Sequence, residues 1–506
     1  MLSKIKTATL TGVEGHPVLV EIDIHKGMPR FNIVGLADTT IKEATERIKP
    51  AIMNCGYYFP NERVTVNLVP ASKPKEGSHF DLPIALGIIT INESIIDLSE
   101  TAFLGELSLD GSINPVRGVL PLAMALRKIG IKNLVVPWYN GEEAAILEDM
   151  NILPAKHLAD VTEYVLGNKD LKVYKGRKNK TVSKEGNLDF SQVIGQESVK
   201  RAILIGAAGN HGMLMMGSPG CGKTMLAKRI PGILPELSYE EKLEITGIYS
   251  VAGLLSVKNP IVEERPFRSP LQSITRTGLL GGGLRPKPGE ISLAHRGVLF
   301  LDELGEFDPR IIDSMRQPIE EGIIRMNRGL EEYIFPAKAM IVVAANPCKC
   351  GNLWDSKRIC TCTAKQLDSH RRKLMGPFAD RIDIHIKVNP VSKERLMEIK
   401  NAFKWESTTS MREKVIKAGL IQDERYRNMS YRRNGELDDQ GIKKFCKLNR
   451  ECEGMILGAY DKLGLSMRGY NKLIKLSRTI ADIEECEDIR TEHVAEALMY
   501  RDDICE

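Results

Sequence analysis

Eight consecutive residues, Gly217-Ser218-Pro219-Gly220-Cys221-Gly222-Lys223-Thr224, carry the most specific chemical signal in this 506-residue chain. An apolar run, Met213 to Met216, precedes them, and Met225 to Ile230 continue in a helical pattern. A strand, a glycine-rich turn and a helix start, in that order, aim successive backbone N–H groups at one anion. The spacing G-x-x-x-x-G-K-[ST] makes that anion a nucleotide phosphate, with Lys223 reaching the β- and γ-phosphates and Thr224 ligating Mg²⁺. Downstream, Gly297-Val-Leu-Phe-Leu-Asp302-Glu303 is a second apolar run ending in two acids. Asp302 is placed to hold the magnesium shell, and Glu303 to orient and deprotonate an attacking water. Two acids after a strand also serve as a helix N-cap, and it is the pairing with the first motif that gives them a catalytic reading. A third apolar run, Met340 to Ala344, leads into Ala345-Asn346-Pro347, where the Asn346 amide can sense the γ-phosphate.

The elements that must position these groups are buried parallel strands. Each of the three runs is four or five residues long and apolar throughout, as expected of strands covered on both faces. Residues 1–167 alternate strand-like segments (Thr7 to Leu10, Val18 to Ile24, Val64 to Leu68, Leu134 to Pro137) with helix-like ones (Thr39 to Asn54, Leu82 to Ile91). Lys169 to Gly186 holds seven Lys/Arg and hardly any apolar periodicity, the pattern of a solvated basic linker. From about Val391 the pattern is helical to the end, as in Gly454 to Leu463 and Tyr470 to Ile483.

Composition is that of a globular protein, 42% hydrophobic and 27% charged, with a net charge of +5 too mild to imply nucleic acid by itself. Met1 to Leu10 has no apolar core of signal-peptide type, and the most apolar stretch, near Leu82 to Ile91, is about half of the ~20 residues a membrane helix needs. These features predict a cytoplasmic protein with no membrane partner. In that compartment thiols stay reduced, so the ten cysteines do not read as a disulfide framework. Four of them form Cys348-Lys-Cys350-Gly…Cys360-Thr-Cys362. Four thiolates on one short loop can complete a tetrahedral Zn–S₄ shell and fold a loop with little apolar material. Free or redox-active thiols, or an iron–sulfur cluster, are the alternatives.

With these motifs in place, the chain resembles the magnesium-chelatase-like AAA+ ATPases of the YifB/ComM family. Val193-Ile194-Gly-Gln196 resembles the segment that packs on adenine, and Asn346 matches sensor 1. Gly376-Pro-Phe-Ala-Asp-Arg381-Ile-Asp matches the arginine-finger segment, which implies that Arg381 acts on a neighbouring subunit's nucleotide. Leu465-Ser-Met-Arg468-Gly-Tyr matches sensor 2, which implies a position for Arg468 near the same γ-phosphate. A guanidinium there stabilises charge on the transferring phosphoryl group. The resemblance departs after Phe267-Arg-Ser-Pro270, where Leu271 and Gln272 stand in place of two histidines.

Residues 1–167 resemble the proteolytic domain of Lon-type proteases, whose serine is activated by a lysine. The matching segments put His79 at the nucleophile position, with Ser78 beside it, and Leu120 at the lysine position. Without that lysine the base of the Ser–Lys dyad is lost, so a non-proteolytic domain is expected; a residual protease using Ser78 with some other lysine is the alternative. The resemblance further implies an α/β chain: a Lon-protease-like α+β domain (1–167), a linker (168–188), an AAA+ P-loop core (189–390) and a helical lid (391–506). It implies ATP and Mg²⁺ as ligands and a homo-oligomeric ring, expected to be a hexamer. Two basic loops, around Arg285 and Lys287 and around Arg325 and Arg328 in a hairpin-like reversal at 322–329, correspond to loops that face the pore in related motors. Repeated around a ring they would line a channel suited to a DNA backbone, without base readout. The expected activity is therefore ATP-driven, helicase-like branch migration on DNA, with a protein-remodelling ATPase of magnesium-chelatase type as the alternative.

Overall fold

The computed structural model describes residues 2–176, 188–329, 331–354, 358–391 and 406–502. The N-terminal part is built on a seven-stranded sheet of order β3-β4-β2-β1-β5-β8-β9. Its strands are β1 (Leu2–Thr11), β2 (Glu14–His25), β3 (Arg30–Val34), β4 (Arg63–Val69), β5 (Thr101–Phe103), β8 (Asn133–Pro137) and β9 (Asn151–Ala155). The short strands β6 (Glu106–Leu107) and β7 (Ile113–Asn114) form a separate ribbon. Alternation along the strands sends side chains to two cores. Ile5 and Val135 pack with helices α1 (Thr39–Asn54) and α2 (Asp81–Ile89) on one face, whereas Ala8, Leu134 and Val136 pack with α3 (Val119–Lys128) on the other. Helix α1 starts where Asp38 caps it, accepting the Ile41 N–H at 2.8 Å. Helix α2, Asp-Leu-Pro-Ile-Ala-Leu-Gly-Ile-Ile, is apolar all round because it is enclosed all round.

The second sheet is entirely parallel, in the order β11-β14-β17-β10-β18. It comprises β10 (Met213–Met216), β11 (Phe267–Arg268), β14 (Val298–Leu301), β17 (Met340–Ala345) and β18 (Ile384–Lys387). Met213, Phe300 and Val342 face helix α4 (Glu197–Gly209), and Leu214, Leu301 and Val343 face the opposite core. Strand order reverses beside β10, the first strand of this sheet in chain order, so the loops after β10, β14 and β17 emerge side by side at the carboxyl edge. Helix α5 (Lys223–Ala227) begins directly after the glycine-rich loop, and α6 (Tyr239–Ala252) opens with a Ser238/Glu241 capping box. Two small hairpins project from this unit: β12 (Gly281–Gly282) with β13 (Lys287–Pro288), and β15 (Ile323–Arg328) with β16 (Glu331–Pro336). Helix α7 (Arg316–Glu321) leads into the second, and α8 (Ala364–Leu374) precedes β18.

The two parts share a packed interface. Leu243 of α6 joins the core of α3, Ser250 donates to the buried Glu143 carboxylate, and the Tyr239 hydroxyl donates to the Ile146 carbonyl at 2.9 Å. Beyond 406 the described chain is helical: α9 (Thr408–Arg425), α10 (Asp439–Phe445), α11 (Arg450–Leu463), α12 (Met467–Ile483) and α13 (Thr491–Asp502). These helices share the core of α4, and a buried polar knot ties them together. Asp482 accepts from Arg425 (2.8 Å), Asn434 (2.8 Å) and Arg478 (3.1 Å). Most of the basic linker, and the start of the C-terminal segment at 392–405, lie outside the described residues.

Candidate functional site

The glycine-rich loop lies in a cradle of strand ends. The Gly217 N–H donates to Ala345 O (3.2 Å), and a Cβ on Gly217 would stand 2.3 Å from Val388 O, so only glycine lets the loop run between β17 and β18. Gly220 and Gly222 hold φ of 81° and 95°, the left-handed turn that starts α5. Lys223 is 8% exposed and donates to Gly217 O (2.5 Å), Ser218 O (3.1 Å) and Asn346 Oδ1 (3.1 Å). Burial lowers its pKa from the ordinary lysine value. The Thr224 hydroxyl donates to Asp302 Oδ2 at 2.7 Å. Glu303 sits at φ 54°, a left-handed conformation unusual for a glutamate, and accepts from Gln272 Nε2 at 3.2 Å. Asn346 is held from behind by His370, whose Nε2 lies 3.0 Å from the Asn346 carbonyl. Thus Lys223, Thr224, Asp302 and Asn346 converge at three neighbouring strand ends, with Glu303 beside them. Val193 is buried, its carbonyl accepts from Lys200 (2.7 Å), and the Gln196 amide donates to Asn389 O (2.6 Å), which sets the 193–196 segment, Ile194 included, against the end of β18.

This donor set fits a magnesium nucleotide. The Lys223 ammonium is aimed into the loop, and the Ser218 hydroxyl is buried there with no hydrogen-bond partner. Thr224 and Asp302 supply adjacent hard oxygens. Comparison with known proteins agrees. Residues 189–396 match the family described as magnesium chelatase, subunit ChlI; residues 20–140 match the subunit ChlI of Mg-chelatase family, and 405–501 its C-terminal family. The protein YifB of Escherichia coli is 40% identical over 502 residues, covering 99% of this chain and 97% of YifB. The competence protein ComM of Haemophilus influenzae is 39% identical, covering 97% of this chain and 95% of its own length. The chain belongs to the YifB/ComM family. Similarity to the magnesium-chelatase 67 kDa subunit of Heliobacterium mobile is more partial, 25% over 43% of this chain and 33% of that subunit.

The two arginines singled out in this YifB/ComM chain meet at one carboxylate. Glu320, on α7, lies 3.1 Å from Arg381 Nε and 3.1 Å from Arg468. Arg381 also donates to Pro377 O at 2.7 Å. Among the described residues, neither guanidinium bonds to the Lys223–Asp302–Glu303 group. Glu320 had no motif to reveal it, and Gln272 showed only as a departure from the family pattern: each acts through a partner distant in sequence.

The four cysteines do come together. Sulfurs bound tetrahedrally at ~2.3 Å from one zinc ion lie about 3.8 Å apart. Here the Cys348–Cys350, Cys348–Cys360 and Cys350–Cys360 Sγ separations are 3.4, 3.7 and 3.6 Å, and Cys362 completes a group whose sulfurs all lie within 4.8 Å of one another. Backbone N–H groups of Asn352 and Thr361 pull the Cys350 thiol down to about 5. Among the described residues, the group consists of four sulfurs alone, which fits a closed tetrahedral site.

The basic loops need correction. Residues 323–328 are one strand of a hairpin, so the reversal falls after Arg328 and not across 322–329. Cross-strand packing of Ile324 and Phe335 decides this register. Arg325 pairs with Glu332 (3.1 Å), and Arg328 and Lys287 are exposed. Arg285 is bound rather than free, its guanidinium 2.7 Å from both Asp38 Oδ2 and Thr40 Oγ1 of the N-terminal part. In that part Ser78 donates to the Glu106 carboxylate, the buried Lys75 ammonium to Pro70 O, and His79 bonds Ala8 O (2.8 Å), its pKa lowered by burial to about 4. Leu120 is fully buried in the α3 core. Ser78 therefore bonds a carboxylate and no lysine. Among the described residues, no helix is long and apolar enough to cross a membrane.

Proposed function

We propose that the chain is an ATP-hydrolysing AAA+ ring motor, a homo-hexamer that translocates on DNA in the manner of a branch-migration helicase and supports recombination of incoming DNA. The observation that carries the ATPase reading is the convergence of Lys223, Thr224, Asp302 and Asn346 on three neighbouring strand ends. Bound Mg²⁺ would neutralise charge on the phosphate oxygens, held by Thr224 and Asp302. Lys223 exchanges its carbonyl acceptors for phosphate oxygens, and Glu303 takes the proton of the attacking water once Gln272 releases it. Arg381 and Arg468 supply the guanidinium charge at a neighbour's γ-phosphate, a contribution of about three or more orders of magnitude in rate.

The DNA reading is supported by near full-length similarity to a protein named for competence, and by the arginines and lysine of the two hairpins. The test is the ATPase rate with and without single-stranded, duplex and branched DNA. Stimulation by DNA is expected. Indifference to every form at low salt would favour the protein-remodelling alternative, supported by the similarity to magnesium-chelatase subunits. We further propose that Cys348, Cys350, Cys360 and Cys362 hold one structural Zn²⁺, tested by metal analysis of protein prepared anaerobically: one zinc per chain is expected, and none would favour free thiols.

A further inference from the structure

The cysteine loop is not a detached knuckle; it is wedged against the nucleotide site. It leaves β17 through Asn346, the amide that holds Lys223, and reaches buried Cys348 two residues later. Gly351 then lies on the ring of Pro219, the third residue of the glycine-rich loop. A Cβ at Gly351 would stand 2.7 Å from both Cγ and Cδ of that proline, and φ of 81° also disfavours any side chain there. After Cys362 the chain enters α8 through a capping box at Thr363 and Gln366. That helix returns to the site: His370 bonds the Asn346 carbonyl at 3.0 Å, and Lys373 donates to the carbonyl of Gly305, two residues beyond Glu303. The loop thus starts at one catalytic strand end, crosses the phosphate loop, and finishes by gripping two strand ends through α8.

Among the described residues, the loop has few apolar anchors besides its sulfurs: Ile359 is 90% exposed, and Trp354 packs at the edge of the core that holds Leu214 and Val343, with the Lys387 ammonium 4.6 Å from its ring. A metal held by Cys348, Cys350, Cys360 and Cys362 would tie Gly351, which lies on Pro219, to the entry of α8, whose His370 reaches Asn346.

We propose that the metal-filled tetracysteine centre is a positioning device for the ATP site, its occupancy setting nucleotide affinity through the Gly351–Pro219 contact and the α8–Asn346 contact. This rests on the zinc reading, and the experiment separates the two. Zinc is counted first in the full-length protein, then removed with a mercurial thiol reagent and chelator, the thiols are restored, and a fluorescent ATP analogue is titrated with excess Mg²⁺ before and after Zn²⁺ is returned. The zinc-free protein should bind the analogue on the order of tenfold more weakly and recover when zinc returns. Gly351→Ala, which leaves all four thiols in place, should keep its zinc and still lose affinity for the analogue. Absence of zinc from the starting protein would refute the metal reading and this inference with it. A zinc-loaded protein whose analogue affinity is unchanged by zinc removal refutes the inference alone, as does a Gly351→Ala protein with one zinc and native affinity.

Discussion

Asp38→Ser tests whether the N-terminal part restrains the basic surface proposed to grip DNA. Asp38 has two tasks: one carboxylate oxygen caps α1 and the other faces Arg285 at 2.7 Å. Serine keeps the cap, whereas alanine would add about 0.5–2 kcal/mol of cap loss to the measurement. What serine removes is the ion pair. Its arginine is 46% exposed, so the pair is worth about 0.2–1 kcal/mol, a factor of about 1.4 to 5. Left with the Thr40 hydroxyl as its neighbour, the guanidinium can add one phosphate contact per subunit, steepening the salt dependence by about 0.9 on duplex DNA and about 0.7 on single strands for each subunit that engages the DNA. The assay is fluorescence anisotropy of labelled DNA titrated across a salt series. Asp38→Ser should bind more tightly at low salt with a steeper slope, and the gain should vanish in an Arg285→Ala background. Unchanged affinity and slope, or the same gain without Arg285, would refute the argument.

Lys223→Ala is expected to weaken nucleotide binding, whereas Glu303→Gln should bind ATP and barely turn over; near-native turnover in both, measured by phosphate release, would remove the site assignment. Gln272→Ala should shift turnover while leaving the affinity for ATP unchanged, because Gln272 touches only Glu303 in this group; an identical rate would show that the 3.2 Å contact restrains nothing. Arg381→Ala should bind ATP without hydrolysing it, and mixing it with Glu303→Gln subunits should restore part of the turnover. A mixture that assembles and stays inactive argues against composite sites. Asp482→Ala leaves the guanidinium groups of Arg425 and Arg478 in the helical core without their carboxylate, at a cost of about 3–5 kcal/mol, read as a lowered denaturation midpoint.

The nucleotide site was legible because its signals are local. Strand, turn and helix lie within one short stretch, and the runs Met213–Met216 and Val298–Leu301 are apolar throughout because helices or hairpins cover both faces. The cysteine group was legible for the same reason. What stayed hidden depends on residues distant in sequence. Arg285 reads as a free basic loop until the fold brings Asp38 to it. Glu320 sits in Arg-Gln-Pro-Ile-Glu-Glu, a polar string indistinguishable from a solvated helix face. The stretch 322–329 reads as a hairpin-like reversal in itself, whereas its pairing with 331–336, Ile324 opposite Phe335, extends a strand through Arg328.

Glu320 also bears on why hydrolysis should require a neighbour. Arg381 lies in a short helical turn whose continuation is anchored: Ile382 is buried, and Asp383 is clamped by His211 (2.8 Å) and Lys472 (2.8 Å). Against the cost of burial, the Lys472 ammonium and the His211 hydrogen bond hold the Asp383 carboxyl far below the usual carboxylate range, so it stays charged at any physiological pH. With its backbone fixed, Arg381 can exchange partners only by swinging its side chain. Arg468 shares the same carboxylate, and Ser466, the cap of its helix, bonds Asp380 at 3.2 Å, coupling the two arginine segments. Both guanidiniums can therefore exchange the Glu320 carboxylate for a phosphate as a pair, with little movement of either backbone. In the ring reading, that phosphate comes to them on an adjacent subunit, so assembly rather than internal rearrangement completes the charge around the γ-phosphate.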